Sequence, residues 1–471
     1  MKKNLIHPKI GLLPLYLDLY DKVTPYLRPE VEKFAETIKN EFTKINIEVL
    51  KSPVCKIKDE FKKAINYFEK ENVDAIVTLH LAYSPSLESA PLLAQTKIPV
   101  IILDTTPFFE FISSNDPNAV MLNHGIHGVQ DLCNLLLRLN KKFLIEVGHW
   151  QKSDVIKRVF QDIKAAQLAK FISNSRVGSI GDAFEGMGDF FVEYEKLKQL
   201  IGINVLITDA GELKKFLPIP NSKGIVEKTN YLLAKYEGQN VDKDSLFKSV
   251  IAGIALNNWI RENKFDCFTM NFTKFNKATG LPTMPFLEAE LLLAEGFGYA
   301  GEGDVLTSAL VGTLNKTFSQ VTFTEMFCPD WKENIIFLSH MGEVNLDLFS
   351  QKALLLEKKL PFIDINSPII GVGKLKKGEV ILVNLAPQNN SFNLILCSGS
   401  IIDIDDNANF NESIRGWFKP KTPIDQFLSS FSLAGGTHHS ALVYIDNISK
   451  SDILNILSNF GRIMNWTVFQ L

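Results

Sequence analysis

Several features that mark particular protein classes are scarce or missing in this sequence. Its five cysteines are scattered and none forms a C-x-x-C pair, which argues against a disulfide framework or a cysteine-bound zinc site. Lysine plus arginine total 50 against 53 aspartate plus glutamate, so no positive excess exists to hold nucleic acid or an anionic membrane. No apolar run approaches the roughly eighteen residues of a membrane helix, and no signal-peptide cleavage site follows residues 1–4. We therefore expect a cytoplasmic protein with no nucleic-acid or membrane partner.

Two common site motifs are also missing. No G-x-G-x-x-G follows the first apolar run, so a dinucleotide site is not supported, and no H-E-x-x-H occurs. The composition is typical of folded proteins, because 46% of the 471 residues are hydrophobic and 22% are charged. At roughly 150 residues per domain, this length predicts about three domains.

The first third of the chain alternates strand-like and helix-like segments. Between the strand-like runs, apolar residues such as Val31, Phe34 and Ile38 recur at helical spacing. Continuous apolar strands separated by helices predict a doubly wound α/β domain over residues 1–171, with a parallel sheet buried on both faces. The strand-like runs lie at residues 10–15, 45–50, 75–79, 100–103 and 143–147.

The rest of the chain predicts two further domains. Residues 172–320 combine strand-like runs at 205–208 and 265–270 with a long helix at 247–260, which predicts a second open α/β domain. Residues 321–471 contain short β-rich runs broken by turn signals, which predict an antiparallel, barrel-like β domain.

Histidine is rare, with eight in the chain, and two of its positions lie beside glycines. His340 is followed by Met341-Gly342, and the pair His438-His439 follows Gly435-Gly436-Thr437. A close-packed glycine backbone can present an imidazole to a ligand or a metal ion. A lone histidine is more often structural, so this pattern alone leaves both interpretations open.

Two glutamates have apolar and aromatic neighbours in the sequence. Glu302 lies in the glycine-dense segment 296–304. Glu325 would share one strand face with Phe323 and Phe327, where an unpaired charge is costly, so it is either exposed at a sheet edge or paired with a cation. Two glutamates and two histidines would suit a divalent ion such as Mn²⁺, with positions left for water or a polyol.

At these residues the chain resembles the L-arabinose isomerases. Each matching motif is weak alone, but the motifs keep their order over most of the chain, and the combination is specific. The main matches are residues 296–304 with Glu302, residues 323–327 with Glu325, Ser339-His340-Met341 with Glu343-Val344, and Ala434-Gly435-Gly436 before His438-His439. Further matches are Gly148-His149-Trp150-Gln151, Gly181-Asp182, and Phe268-Thr269 with Phe272.

The resemblance implies an aldose-ketose isomerase that assembles as a homo-oligomer, typically a hexamer. It implies that the enzyme uses Mn²⁺, or another divalent ion such as Co²⁺ or Mg²⁺, as its cofactor. It also implies that Glu302 and Glu325 are the acid/base pair. Moving a carbonyl between C1 and C2 of a sugar passes through an enediol, which requires a base and an acid near those carbons, while the metal stabilises the developing charge. No organic cofactor is implied. The implied metal ligands are Glu302, Glu325, His340 and His439, which leaves His438 a supporting or structural role.

Substrate-facing positions depart from the family. Residues 13–20 lack the glutamine and histidine of the family's G-S-Q-H-L-Y-G loop, only His124 and Gly125 remain of its Q-T-A-H-G pattern, and Phe184 replaces a methionine. We expect His124, Phe184 and Phe272 as substrate contacts. The predicted substrate is an aldopentose or a related sugar, and it need not be L-arabinose.

Two other functions stay open at this point. The first third also resembles the sugar-binding domains of periplasmic receptors, which suggests a non-catalytic sugar-binding protein. Alternatively, a metal hydrolase could use the same glutamates and histidines to activate water. Tight sugar binding without turnover would favour the first, and ester or phosphate turnover would favour the second.

Overall fold

The structure, a computed structural model, describes residues 7–112, 119–220, 222–238, 240–361, 363–404 and 410–471. The basic segment at residues 1–4 lies outside these ranges. The described residues fall into two units. The N-terminal unit comprises the described residues up to Lys170 together with Leu454–Asn465, and the C-terminal unit comprises those of Phe171–Ile453 with Trp466–Leu471. The division into three domains at residues 171 and 320 stays a prediction.

Five parallel strands form the sheet of the N-terminal unit. Neighbouring residues such as Leu12 and Leu13 pack into two different apolar clusters, because successive side chains point to opposite faces of the sheet. The sheet is therefore buried on both faces, and the predicted doubly wound α/β fold is confirmed. In the order β2-β1-β3-β4-β5, the strands are β1 (Lys9–Leu15), β2 (Glu48–Lys51), β3 (Ala75–His80), β4 (Val100–Asp104) and β5 (Leu144–Val147).

Helices cover both faces of this sheet. Phe42 of α2 packs into the cluster that contains Leu12, whereas Phe61 of α3 packs into the cluster that contains Leu13. Leu454 and the residues that follow it on α14 also belong to this unit. The helices are α1 (Asp18–Val23), α2 (Arg28–Lys44), α3 (Lys58–Lys70), α4 (Ser86–Gln95), α5 (Val120–Asn123), α6 (Ile126–Arg138), α7 (Val155–Ser173) and α14 (Lys450–Ile463).

The N-terminal unit buries one poorly paired carboxylate, Asp162 on α7. Its Oδ1 accepts a hydrogen bond from Asn459 Nδ2 at 2.6 Å, but its buried Oδ2 has no hydrogen-bond partner among the described residues. Burial, reinforced by the charge of Glu146, raises the pKa of Asp162 from 3.8 to about 7. Because the folded pKa lies above the unfolded value, the stability from this group is fully present below about pH 4 and is lost as the pH rises through 7.

Asp162→Asn is therefore expected to stabilise the protein. The gain in the free energy of unfolding should be roughly 1–3 kcal/mol at about pH 8 and should decline steadily toward about pH 4, since asparagine has no ionised form to bury. Denaturant unfolding at about pH 5 and about pH 8 measures it. The exposed control Asp59→Asn should shift stability by less than about 0.5 kcal/mol at either pH. A gain that does not grow with pH would contradict the prediction.

The C-terminal unit begins with a second parallel sheet, in the order β7-β6-β8-β9. This confirms the second open α/β region. Its strands are β6 (Arg176–Ile180), β7 (Asn204–Thr208), β8 (Cys267–Met270) and β9 (Gly298–Gly301). The helices that accompany it are α8 (Tyr194–Leu200), α9 (Lys223–Lys235), α10 (Lys243–Glu262), α11 (Phe286–Glu295) and α12 (Val305–Thr317). Across the described part of the chain, no helix combines the length and apolar character needed to cross a membrane.

Six strands of the C-terminal unit close into a barrel, as the turn-rich β pattern predicts. The order is β14-β17-β10-β11-β16-β15, and β15 pairs again with β14 to close the ring. The barrel strands are β10 (Val321–Asp330), β11 (Ile335–Ser339), β14 (Gly378–Pro387), β15 (Phe392–Ile402), β16 (Gly416–Pro420) and β17 (His439–Tyr444). Outside the ring lie the antiparallel pair β12 (Leu354–Glu357) and β13 (Ile369–Val372), α13 (Ile424–Leu433), and β18 (Thr467–Gln470), which runs parallel to β15.

Candidate metal centre

Glu302 lies in the tight turn between β9 and α12. Its backbone is left-handed, with φ of 62°, a conformation that costs free energy for a non-glycine residue and is concentrated at functional sites. The next residue, Gly303, has φ of 82°, and a Cβ there would lie 2.6 Å from the Cα of Ala183. Conformation and close approach both require glycine at 303. The turn therefore holds Glu302 in one defined position at the end of β9.

Strand pairing in the barrel brings three more candidate ligands together. Glu325 on β10 lies opposite His439 of β17 on one side and opposite Ser339 of β11 on the other. His340 directly follows Ser339. One ligand atom from each of Glu325, His340 and His439 lies within 4.8 Å of the others. Residues more than one hundred positions apart in the chain thus become neighbours through the register of three strands.

A second group of candidate ligands shares His439 with the first. Glu302, His438 and His439 also offer ligand atoms within 4.8 Å of one another. Glu302 Oε2 lies 3.4 Å from His439 Nε2 and 3.6 Å from His438 Nε2. The structure therefore brings together Glu302, Glu325, His340 and His439, the residues singled out from the sequence, and it adds His438 beside them.

Each of the three imidazoles has a carboxylate at its Nδ1. A histidine that donates its Nδ1 proton to a carboxylate keeps the lone pair on Nε2, and the same bond orients the ring. The pairs are His439 with Asp304 at 2.9 Å, His438 with Asp189 at 2.6 Å, and His340 with Glu343 at 2.7 Å.

The surroundings of His439 Nε2 indicate whether these residues suit a metal ion. His439 is fully buried, and its Nε2 has no hydrogen-bond partner among the described residues. Such an unpaired polar atom costs about 1–3 kcal/mol, whereas a divalent ion would use its lone pair. Ligand atoms at about 2.0–2.3 Å from one ion lie at most roughly 4.6 Å apart, close to the 4.8 Å within which the atoms of each three-residue group lie. The mixture of carboxylates and imidazoles also suits Mn²⁺ or Co²⁺, so the residues fit a divalent ion.

The two glutamates have different electrostatic surroundings. Burial raises the pKa of Glu302, but its contacts with His438 and His439 outweigh burial and lower the pKa to about 2. Burial raises the pKa of Glu325 above its ordinary value, and the charges of the nearby histidines, His340 first among them, offset only part of that rise. The site therefore contains two carboxyl groups with contrasting affinities for a proton.

The predicted substrate contacts are divided between the two units. The Phe184 N–H donates to the Glu302 carbonyl at 2.9 Å, and the Phe184 ring centroid lies 5.4 Å from that of Phe272. His124 belongs to the N-terminal unit instead, where its Nε2 lies 2.9 Å from the Tyr20 hydroxyl and its ring stacks on His127. The substrate roles of all three residues stay predictions.

Sequence patterns do not single out the three carboxylates that orient the imidazoles. Asp304 and Glu343 lie in the matched segments, two residues after Glu302 and three residues after His340, and this spacing is the signal available for them. Asp189 lies in an irregular segment without a motif, 249 positions from the histidine that it contacts. Only the folded chain shows its role.

Two protein-family models match parts of the C-terminal unit. The model for the L-arabinose isomerase central domain matches residues 224–320, and the model for the L-arabinose isomerase C-terminal domain matches residues 320–459. Together, these two matches run across the β9–α12 turn and through most of the barrel. They therefore include Glu302, Glu325, His340 and His439.

Similarity to individual proteins extends over most of the chain. The L-arabinose isomerase of Shewanella sp. strain MR-4 is 25% identical over 472 residues, covering 94% of this chain and 90% of the relative. L-arabinose isomerase 2 of Clostridium acetobutylicum is 26% identical over 453 residues, covering 88% of this chain and 87% of the relative. Among solved structures, a periplasmic solute-binding protein of Actinobacillus succinogenes 130z with bound D-allose is 15% identical and covers 65% of this chain and 88% of that chain. Its TM-score of 0.17 is too low to bear on the fold.

Proposed function

The chain belongs to the L-arabinose isomerase family as a divergent member, and on this premise we propose that it is a metal-dependent aldose-ketose isomerase. The observation that carries the proposal is the pair of candidate ligand groups, Glu302 with His438 and His439 and Glu325 with His340 and His439, which share the buried His439. Its Nε2 makes no hydrogen bond among the described residues. Mn²⁺ is the proposed ion, and Glu302, Glu325, His340 and His439 are its proposed ligands. The proposed substrate is an aldopentose or a related sugar.

The two glutamates supply the proton transfers that this reaction needs. Converting an aldose to a ketose removes a proton from C2, adds one to C1, and moves the hydroxyl proton of O2 to O1. In the proposed reaction, one of Glu302 and Glu325 accepts the C2 proton and returns a proton to C1, while the other donates a proton to O1 and takes up the proton of O2. Both must lie near the reacting atoms. A bound divalent ion would polarise the two sugar oxygens as a Lewis acid. His340 and His439 would hold that ion, each oriented by its own carboxylate.

The identity of the sugar depends on the residues around the proposed metal site, some of which match the family and some of which depart from it. Phe184 and Phe272 form an aromatic pair next to Glu302, and we propose that this pair packs against the carbon chain of the substrate. His124 is a further proposed contact. Because residues 13–20 and Phe184 depart from the family pattern while the proposed ligands are present, we propose a pentose, a deoxyhexose or a related polyol, with L-arabinose as one member of that group.

A ketose-formation assay tests the proposal. Metal-stripped protein is incubated with a panel of aldopentoses and aldohexoses, with and without added Mn²⁺. We expect ketose from at least one sugar, with a rate at least about 100-fold higher when Mn²⁺ is present. If L-arabinose is the one sugar of the panel that is converted, the protein has the activity for which the family is named.

Two results, from this assay combined with sugar-binding and ester-hydrolysis measurements, would overturn the proposal. Folded protein that rebinds Mn²⁺ and binds a sugar tightly, yet forms no ketose from any member of the panel, would indicate a sugar-binding protein. Release of phosphate or alcohol from ester substrates, without ketose formation, would indicate a metal hydrolase.

A further inference from the structure

A chain of buried polar groups lies behind His340. Glu343 Oε2 lies 2.7 Å from Nδ1 of His340, which also hydrogen-bonds the Gly342 carbonyl at 3.0 Å, and Glu343 Oε1 accepts a hydrogen bond from the Tyr299 hydroxyl. Both Glu343 and Tyr299 are almost completely buried. Glu343 is therefore fixed on both carboxylate oxygens, and one of them orients a candidate metal ligand.

The backbone of Glu343 is in an uncommon conformation. Its φ is 91°, directly after Gly342 with φ of 134°. A non-glycine residue in such a conformation costs on the order of 1–3 kcal/mol and persists only where neighbouring groups hold it. The loop between β11 and β12 therefore needs a specific contact to keep the Glu343 carboxylate turned toward His340.

Glu290 on α11 supplies that contact. It is fully buried, its Oε1 accepts the backbone N–H of Glu343 at 3.1 Å, and its Oε2 accepts the backbone N–H of Gly371 on β13 at 2.8 Å. One carboxylate thus joins a helix, the strained loop and a strand. A second acid so close to Glu343 carries a desolvation cost that an apolar residue would avoid, which argues for a role beyond packing.

We propose that Glu343 and Glu290 are positioning residues for the metal centre. Together with the Gly342 carbonyl, Glu343 keeps His340 as the tautomer with the proton on Nδ1, so that the Nε2 lone pair is available to a divalent ion. Glu290 acts through Glu343 by holding its backbone in place. This inference rests on the proposed function only in that it takes His340 to be a metal ligand, and Mn²⁺ affinity tests it independently of isomerase activity.

Mn²⁺ titrations of metal-stripped variants test the role of Glu343. Glu343→Leu should weaken Mn²⁺ binding about 10–100-fold, the usual effect of removing a partner of a metal-bound histidine. Glu343→Gln should recover most of the affinity, because its amide oxygen can still accept the His340 Nδ1 proton while its NH₂ group faces the Tyr299 oxygen. A group needed only for its charge would not be rescued by glutamine, and a group needed only for its bulk would tolerate leucine.

A double-mutant cycle tests whether Glu290 acts through Glu343. Glu290→Gln leaves a single acceptor oxygen for two N–H donors, so we expect roughly tenfold weaker Mn²⁺ binding. In Glu290→Gln/Glu343→Leu the loss should equal that of Glu343→Leu alone, since residues that act in series are not additive. Thermal unfolding of the metal-free variants is measured in parallel to separate stability from metal affinity.

Glu288 provides a matched control on the same helix. It is equally buried but pairs with Lys228 and with Asn257, away from Glu343. Glu288→Gln should lower stability while leaving Mn²⁺ affinity within about twofold of wild type.

Wild-type Mn²⁺ affinity in Glu343→Leu, or additive losses in the double variant, would overturn the positioning role even if the protein forms ketose. The expected pattern of affinities in a protein that forms no ketose would support the positioning role and refute only the proposed function.

Discussion

Glu302→Gln and Glu325→Gln should each lower kcat by about 10²–10⁴ at saturating Mn²⁺, the usual contribution of a general acid or base. Glutamine keeps the shape of glutamate and one oxygen that can bind a metal, but it cannot take up or deliver a proton at neutral pH. Because both glutamates are also proposed ligands, each assay must be made with Mn²⁺ well above its measured Kd. The loss then reflects proton transfer and not an empty site.

The barrel offers a control for these two substitutions. Glu333 lies in the exposed turn between β10 and β11, with 59% of its side chain exposed, and Glu333→Gln should leave kcat unchanged. Far-UV circular dichroism and Mn²⁺ titration of each variant establish folding and occupancy. Turnover within about threefold of wild type in either Glu302→Gln or Glu325→Gln would remove that residue from the proposed acid/base pair.

His439→Ala should weaken Mn²⁺ binding on the order of 100-fold or more, because it removes a ligand where losing even an outer partner costs 10–100-fold. His439 is the one residue shared by both candidate ligand groups, and its Nε2 is buried without a hydrogen-bond partner among the described residues. The variant also leaves Asp304 without the imidazole that it contacts, so its metal-free stability should fall as well. Mn²⁺ titration followed by electron paramagnetic resonance measures the affinity directly.

Comparing His340→Ala with His438→Ala decides which group of ligands binds the ion. If Glu302, Glu325, His340 and His439 hold Mn²⁺, as proposed, then His340→Ala should weaken binding about as much as His439→Ala. His438→Ala should have a smaller effect. The opposite order would assign the ion to Glu302, His438 and His439. Near-wild-type affinity in His439→Ala would contradict both assignments, provided that the variant is folded.

The metal centre also shows why isolated motifs were ambiguous. From the sequence, Glu325 was either exposed at a sheet edge or paired with a cation, because alternation along a strand shows which residues share a face but not what lies opposite them. The register of β10 against β17 places His439 there. His438 was expected to have a supporting role, and in the structure it lies 3.6 Å from Glu302.

Local sequence patterns determined the order and type of most elements. Apolar runs and helical periodicity marked all five strands of the first sheet and the long helix α10. Such patterns work because each segment must bury its own apolar face, whatever its partners are. The short helices α1 and α5 have no buried residues, so they left no periodic signal.

The sequence by itself determined the fold class, the family and the four candidate ligands, since motif order and spacing are properties of the chain. Only the tertiary structure decided which groups support the histidines of the candidate site. Asp189 reaches His438 across 249 positions, and Glu290 contacts the backbone of Glu343 across 53. The physical reason is that hydrogen bonds between distant segments depend on strand register and on how helices pack against sheets, whereas a sequence pattern records only what each segment needs locally.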